Sequence, residues 1–221
     1  NNLNATQSTW FEIRDSTAPV INSHNASPSS EFFGFPMTIY ANITDNVLVS
    51  DVLVEIEGIN YSMIPNGNIY NYTFNTSNYL PGGYNYTIYA NDTSTPDNWA
   101  LSATGNFTVL QTSSVLELYL EGVQNNISSL EDVPFNITAL LVVPNNAENI
   151  QIYKNGSLIA NSSSPAVNIS AHQPGVYNIT AIYIGSINYS ASKVTWFLTV
   201  NDTTTANVTN MYPTGQIYNQ T

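Results

Sequence analysis

"GVYNITAIYIG", residues 175–185, is the stretch on which the reading of the fold turns. Apolar and polar side chains alternate along it with a period of two, and Tyr, Ile, Val and Thr dominate it, which specifies a half-buried β-strand. Inside the run, Asn178, Ile179 and Thr180 form an Asn-x-Ser/Thr triplet, the acceptor pattern for N-linked glycans. Successive strand side chains point to opposite faces, so Asn178 and Thr180 face outward together while Ile179 enters the core.

The same alternation extends in both directions. Upstream it recurs in MTIYANIT (37–44), DVLVEIEG (51–58), IYNYTF (69–74), YNYTIYAN (84–91), GNFTVL (105–110), VLELYLEG (115–122), VPFNITALLVV (133–143), NIQIYKNGSLIAN (149–161) and VNIS (167–170), and downstream in KVTWFLTV (193–200). Turn chemistry separates the runs: an Asn-Gly pair in IPNGNIY, a Gly pair in LPGGY, the STPDN break, and a hairpin turn at KNG, 154–156. No amphipathic helix is legible. Two blocks of about 90 residues, each with about seven short strands, predict an all-β chain of two β-sandwiches in tandem.

The acceptor triplet occurs at Asn4, Asn25, Asn42, Asn60, Asn71, Asn75, Asn85, Asn91, Asn106, Asn126, Asn136, Asn155, Asn161, Asn168, Asn178, Asn188, Asn201, Asn207 and Asn219, and no Pro interrupts any of them. Its middle residue is often Ile, Tyr or Phe, as in NIT at 42, 136 and 178, NYT at 71 and 85, NFT at 106, NIS at 126 and 168, and NYS at 60 and 188. On strands these acceptors are expected to decorate the outer faces. Covalent N-glycans then supply the solubility that charges supply elsewhere.

Composition agrees. Charged residues make up 8% of the chain, against roughly 25% in an ordinary soluble domain. The net charge is −12 with three basic residues, Arg14, Lys154 and Lys193, so there is no basic patch for phosphate backbones or anionic lipid heads. Nucleic acid is excluded as a partner. Insertion into a membrane is also not expected, because the longest apolar run, ITALLVVP, stops at Pro144, well short of the ~18 residues a spanning helix needs. Cysteine is absent, which removes disulfides and thiolate chemistry. A start at Asn1 without a basic-then-apolar segment is what an exported chain looks like after its signal is removed, and a fragment cut from a longer chain looks the same.

The second block resembles the bacterial and archaeal Ig-like repeat, through the Y.NGSLIA hairpin and an ending that carries Gly175, Tyr177, Thr180, Ala181, Tyr183, Asn188, Tyr189, Thr199 and Val200. The first block resembles a related extracellular Ig-like module that opens DSTAPVI, carries ANITDNVLVSDVLVEI, and closes YTIYANDTSTPDNWALSATGNFTVL. Such modules build stalks, adhesins, layer proteins and filaments at archaeal and bacterial surfaces. The sequon density and low charge depart from the usual pattern. No acceptor has an acidic residue two positions before it, which points away from the common bacterial glycosylation system and toward an archaeal, extracellular setting.

The resemblance implies two Ig-like domains, 16–111 and 112–201, preceded by an N-terminal strand and linker, 1–15, and followed by a tail, 202–221. STWFEIRD, residues 8–15, looks like a final strand without its own domain. One expectation is a donor strand: Trp10, Phe11 and Ile13 anchor it in a neighbouring copy, and head-to-tail repetition builds a filament like the archaeal threads joined by donor-strand complementation. The other is a section of a longer tandem stalk, surface layer or adhesin with a carbohydrate- or cell-binding role.

An enzyme is not expected. His24 and His172 lie in separate loops with no metal set beside them, and Glu55 and Glu57 read as the solvated face of a strand. No cofactor is expected; calcium is the one ion that the oxygens of Asp45, Asp51, Asp92, Asp97 and Asn98 suit. Trp10, Trp99, Trp196 and the tyrosines read as core positions rather than sugar platforms. The thread-like family also suggests amide cross-links, for which Lys193 is the candidate donor, Lys154 being assigned to a hairpin.

Overall fold

The structure, a computed structural model, describes residues 14–204. The expected interface residues Trp10, Phe11 and Ile13 and the acceptors Asn4, Asn207 and Asn219 lie outside the described residues. The chain divides into two compact units. One runs to Ser113 and includes Gly185–Ser190; the other takes Ser114–Ile184 and continues from Ala191. The loop 185–190, which the sequence reading assigned to the second domain, belongs to the first unit because Thr112 exchanges backbone hydrogen bonds with Asn188 (2.9 Å) and Ser190 (3.0 Å).

The first unit contains β1 (Val20–Ser27), β2 (Ser30–Phe32), β3 (Pro36–Thr44), β4 (Val49–Ile56), β5 (Ile59–Ser62), β6 (Ile64–Asn66), β7 (Ile69–Asn75), β8 (Gly82–Asp92) and β9 (Ala103–Leu110). They form two sheets, ordered β1-β3-β7-β6 and β2-β9-β8-β4-β5. Met37, Ile39, Ala41 and Ile43 of β3 alternate inward with Phe74 of β7. They meet Val52, Val54, Ile56, Tyr86, Ile88, Phe107 and Val109 from the other sheet, all buried. Burial of each large aliphatic side chain contributes about 1.5–3 kcal/mol, which holds the two sheets face to face.

The second unit repeats the plan with β10 (Val115–Leu120), β11 (Ile127–Leu130), β12 (Phe135–Val143), β13 (Asn149–Lys154), β14 (Ser157–Ser163), β15 (Ala166–Ser170), β16 (Gly175–Tyr183) and β17 (Ser192–Asn201). Its sheets are β10-β12-β15 and β11-β17-β16-β13-β14. Leu118, Leu120, Ile137, Leu141, Ile150, Ile152, Ile179 and Leu198 fill its core. In both units the first strand is split. Its first part pairs antiparallel in one sheet, β1 with β3 and β10 with β12, and its second part pairs parallel with the last strand, β2 with β9 and β11 with β17.

Turns follow the local chemistry. Asn155 and Gly156 take left-handed φ values of 48° and 82°, the pair that a two-residue hairpin of type I′ requires. Glu57 and Gly58 do the same at 53° and 77°. Alternation alone extends the strand through Glu57, but β4 ends at Ile56 and Glu57 stands in the turn, so Glu55 and Glu57 do not share a strand face. Gly105 has another role. It pairs with Tyr86 across β8 and β9, and a Cβ there would lie 2.3 Å from the Tyr86 hydroxyl, so the missing side chain makes room for the ring.

Candidate functional site

The surface of strand-borne acceptors is the first candidate site. In Asn25-Ala26-Ser27, Asn85-Tyr86-Thr87, Asn106-Phe107-Thr108 and Asn178-Ile179-Thr180 the middle residue is buried while the asparagine is exposed. Asn42-Ile43-Thr44 and Asn136-Ile137-Thr138 keep the same alternation with half-buried asparagines. Asn85 and Asn106 are directly paired across β8 and β9, which sets two acceptors side by side on one outer face. In the second unit the hydroxyls of Thr138, Ser170 and Thr180 donate to the side-chain carbonyls of Asn136, Asn168 and Asn178 at 3.0, 2.8 and 2.6 Å. The third residue of these triplets therefore fixes the asparagine's rotamer as well as completing the motif.

Other acceptors stand in other settings. Asn60, Asn126, Asn155, Asn161 and Asn201 are exposed, Asn126 and Asn155 accepting from the backbone N–H of Phe197 and Asn178. Asn71 and Asn75 donate their amides to the carbonyls of Ile64 and Gly34. Asn188 is half-buried in the loop 185–190.

Two acceptors depart from the expected outward pose. Asn168 pairs with Ile137, a core position, so it faces the interior side of β15 and donates to the Ile159 carbonyl at 3.0 Å. Its neighbour Ile169 is thereby turned out, 65% exposed. Pairing register, which the triplet alone does not reveal, sets this inversion. Asn91 is only 4% exposed; its Oδ1 accepts the Asp51 N–H at 2.9 Å and its Nδ2 donates to Asp97 at 3.1 Å. It ties β8 to β4 and to the loop that follows β8.

The acidic residues expected to ligate an ion are redistributed. Asp51 and Asp97 both engage Asn91. Asp45 and Asp92 instead meet Asp15, which sequence reasoning had not singled out, with one carboxylate oxygen from each within 4.8 Å of the others. Burial pushes the Asp92 carboxyl up, but hydrogen bonds from Asn98 and Ser94 outweigh it and hold its pKa at about 2. The Thr17 N–H, with further support from Asn46, holds Asp15 below its ordinary value. Asp45 Oδ1 is buried with no hydrogen-bond partner among the described residues. Asn98 turns its amide N–H, not its oxygen, toward Asp92 and the Asp15 carbonyl. The hard oxygens that suit a divalent cation are thus those of Asp15, Asp45 and Asp92.

Each remaining candidate has its own surroundings. His24 Nδ1 and the Tyr86 hydroxyl are 3.1 Å apart, within the first sandwich. His172 is buried and accepts from Lys154 Nζ at 3.3 Å, while that ammonium lies 5.0 Å over the Tyr177 ring. Burial first, and the Lys154 charge second, lower the His172 pKa. Glu55 accepts from the Tyr89 hydroxyl at 3.0 Å on the outer face of β4 and β8. Trp99 is 54% exposed rather than in the core. Trp196 is half-buried and donates to the Leu118 carbonyl. Lys193 is exposed on β17, beside Asn155 and Asn178 in a shallow groove; an amide cross-link needs a desolvated amine, which that position does not offer.

Sequence reasoning did not find one further site. A groove of about 480 Å³ opens at one edge of the first sandwich, lined by Glu57, Ile59, Tyr61, Tyr79, Leu80 and Tyr84 among others. Burial, then the neighbouring Tyr61, drives the Tyr79 hydroxyl well above its ordinary pKa of 10, so it stays protonated. These residues come from the turn between β4 and β5, from β5, from the loop before β8, and from β8, and only the fold collects them.

No protein-family model matches the chain, and no curated protein sequence matches it. Solved structures do resemble it. The fibronectin(III)-like modules of Clostridium thermocellum CbhA are 16% identical with a TM-score of 0.35, and the match covers 83% of this chain and 94% of that one. The Ca²⁺-stabilized adhesin that helps an Antarctic bacterium reach out and bind ice is 11% identical with a TM-score of 0.36, and the match covers 85% of this chain and half of that one. The full ectodomain of mouse nectin-like molecule 4, Ig1–Ig3, is 10% identical with a TM-score of 0.35, and the match covers 84% of this chain and 66% of that one. At these identities and scores the likeness is one of β-sandwich fold and extends no further.

Proposed function

We propose that this chain is a structural section of an extracellular, heavily N-glycosylated surface protein of an archaeal cell, and not an enzyme. The observation that carries the reading is the alternation of exposed acceptor asparagines with core residues on the same strands, Asn25-Ala26, Asn85-Tyr86, Asn106-Phe107 and Asn178-Ile179. Each Ig-like unit is a rigid strut, and the sugar coat takes the place of surface charge. The resemblance in sequence to surface modules supports the location.

Copies join head to tail through the N-terminal segment that bears Trp10, Phe11 and Ile13. Both sandwiches already hold a first strand, β1–β2 and β10–β11, so the segment adds to an open edge rather than filling an empty slot. The unpaired edges at β5, β6, β14 and β15 are the acceptors for such an addition. The completeness of the sandwiches also favours a second reading, in which the chain is one stretch of a longer covalent array and needs no donated strand.

Electron microscopy of the native protein beside a variant lacking residues 1–14 separates the two. Filaments from the full chain and none from the variant support strand donation. Absence of filaments from both, with both units folded, leaves the array. An intact mass that does not fall on deglycosylation overturns the glycoprotein reading itself.

A further inference from the structure

We infer that the tyrosine groove of the first unit is a binding site for a neutral oligosaccharide, and that its occupant is an N-glycan carried by a second copy of this chain. The inference rests on the glycoprotein reading above. Its floor is a connected set of rings held from behind by the core. Tyr61 stacks on Tyr72 at 4.7 Å, Tyr84 stacks on the buried Phe107 at 5.3 Å, and Tyr79 meets Tyr84 edge-on at 5.1 Å. Tyr84 is further fixed by donating to the Leu80 carbonyl at 2.6 Å. The rings are half-buried, and at the lip Ile59 and Leu80 are left 55% and 53% exposed. The volume, about 480 Å³, falls in the range of ligand clefts, and its walls are already in place.

Charge selects the ligand class. Glu57 is the single charged residue among those that line the groove, and the chain has three basic residues in all, none of them there. Phosphorylated, sulfated and uronic ligands are repelled. A pyranose ring offers an apolar C–H face, with slight positive charge, to the negative faces of Tyr61, Tyr79 and Tyr84. Its hydroxyls donate to the Glu57 carboxylate and exchange hydrogen bonds with Asn78 and the tyrosine hydroxyls. An apolar peptide would leave Glu57 and Asn78 without a role. Where every copy carries 19 acceptor triplets, the neutral glycans of neighbouring copies are presented to the groove at high local concentration.

The test titrates dilute native protein with three probes: the N-glycans released from the protein itself, maltoheptaose, and oligogalacturonate. Binding is read by isothermal calorimetry, and near-ultraviolet circular dichroism checks each variant's fold. The released glycans are expected to bind, with at least a tenfold loss in Tyr61→Ala and in Glu57→Gln, the latter on an exposed turn where folding is unaffected. Trp99→Ala, outside the groove, is expected to bind as the native chain does. Binding of maltoheptaose or oligogalacturonate in preference to the released glycans overturns the assigned occupant. Release of no glycan overturns it together with the glycoprotein reading, whereas glycans that are released but fail to bind, or that bind both variants equally, overturn the groove alone.

Discussion

Replacing Gly105 with alanine tests the packing at the centre of the first sandwich. The new Cβ would fall 2.3 Å from the Tyr86 hydroxyl oxygen, 2.4 Å from Cζ and 2.8 Å from Cε1, and all three distances are far inside contact. Tyr86 is only 2% exposed and cannot swing into water, so the ring must shift against its core neighbours and give up its hydrogen bond with His24. Overpacking of this kind costs about 1–3 kcal/mol, and loss of a neutral hydrogen bond about 1 kcal/mol more. Against this, alanine restricts the unfolded chain and returns about 0.4–1 kcal/mol. The net loss is about 1–4 kcal/mol, which for a unit of this size lowers Tm by roughly 5–30 °C. Thermal unfolding followed by near-ultraviolet circular dichroism reads the shift. In a Tyr86→Leu background, where the ring is gone, Gly105→Ala should become neutral or stabilising, giving a coupling energy in a double-mutant cycle. A Gly105→Ala protein as stable as the parent in the native background would refute the reasoning.

Asn91 should carry no sugar in glycopeptide mass spectrometry despite its acceptor triplet, and Asn91→Ala should destabilise the first unit by about 1–3 kcal/mol by leaving the Asp51 N–H unpaired; a glycan on Asn91 would contradict its placement. The folded-state pKa of His172 is lowered, so its contribution to stability is complete above its unfolded value, near 6.5, and is lost as pH falls through the lowered folded value. Unfolding midpoints of the second unit should drop over that window, and His172→Gln should flatten the slope. Asp92, held at about 2, stabilises the first unit above its unfolded value near 3.8 and loses that contribution only as pH falls toward 2. Acid titration of the first unit should therefore show little change from pH 7 to 4, and Asp92→Asn should weaken the unit at neutral pH.

The strands were legible wherever one face was buried and the alternation unbroken. β3 and β8 stand almost as the spacing of Met37, Ile39, Ala41 and Ile43, and of Tyr86, Ile88 and Ala90, places them. The Asn155–Gly156 hairpin was equally plain, because the backbone it requires is one that few residue pairs adopt. Short pieces were not legible: β2 and β11 are three and four residues long and owe their existence to parallel pairing with β9 and β17, a long-range fact. Asn168 faces inward because register with Ile137 overrides the local triplet. The tyrosine groove and the meeting of Asp15, Asp45 and Asp92 join residues tens of positions apart, and no local spacing encodes them.

The parallel alignment of the first and last strands has a mechanical consequence. When the ends of the first unit are pulled apart, β2 is drawn back toward its start and β9 onward toward its finish, in opposite directions along one axis. The hydrogen bonds between them, with the row extended at its two ends by Phe33 N–H to the Leu110 carbonyl at 2.8 Å and Thr108 N–H to the Ser29 carbonyl at 3.0 Å, are then sheared together rather than unzipped in turn. β11 and β17 stand in the same relation in the second unit, with Glu131 N–H to the Asn201 carbonyl extending the row. Each unit therefore yields only when a whole row of bonds fails at once, and holds its length under tension until that point.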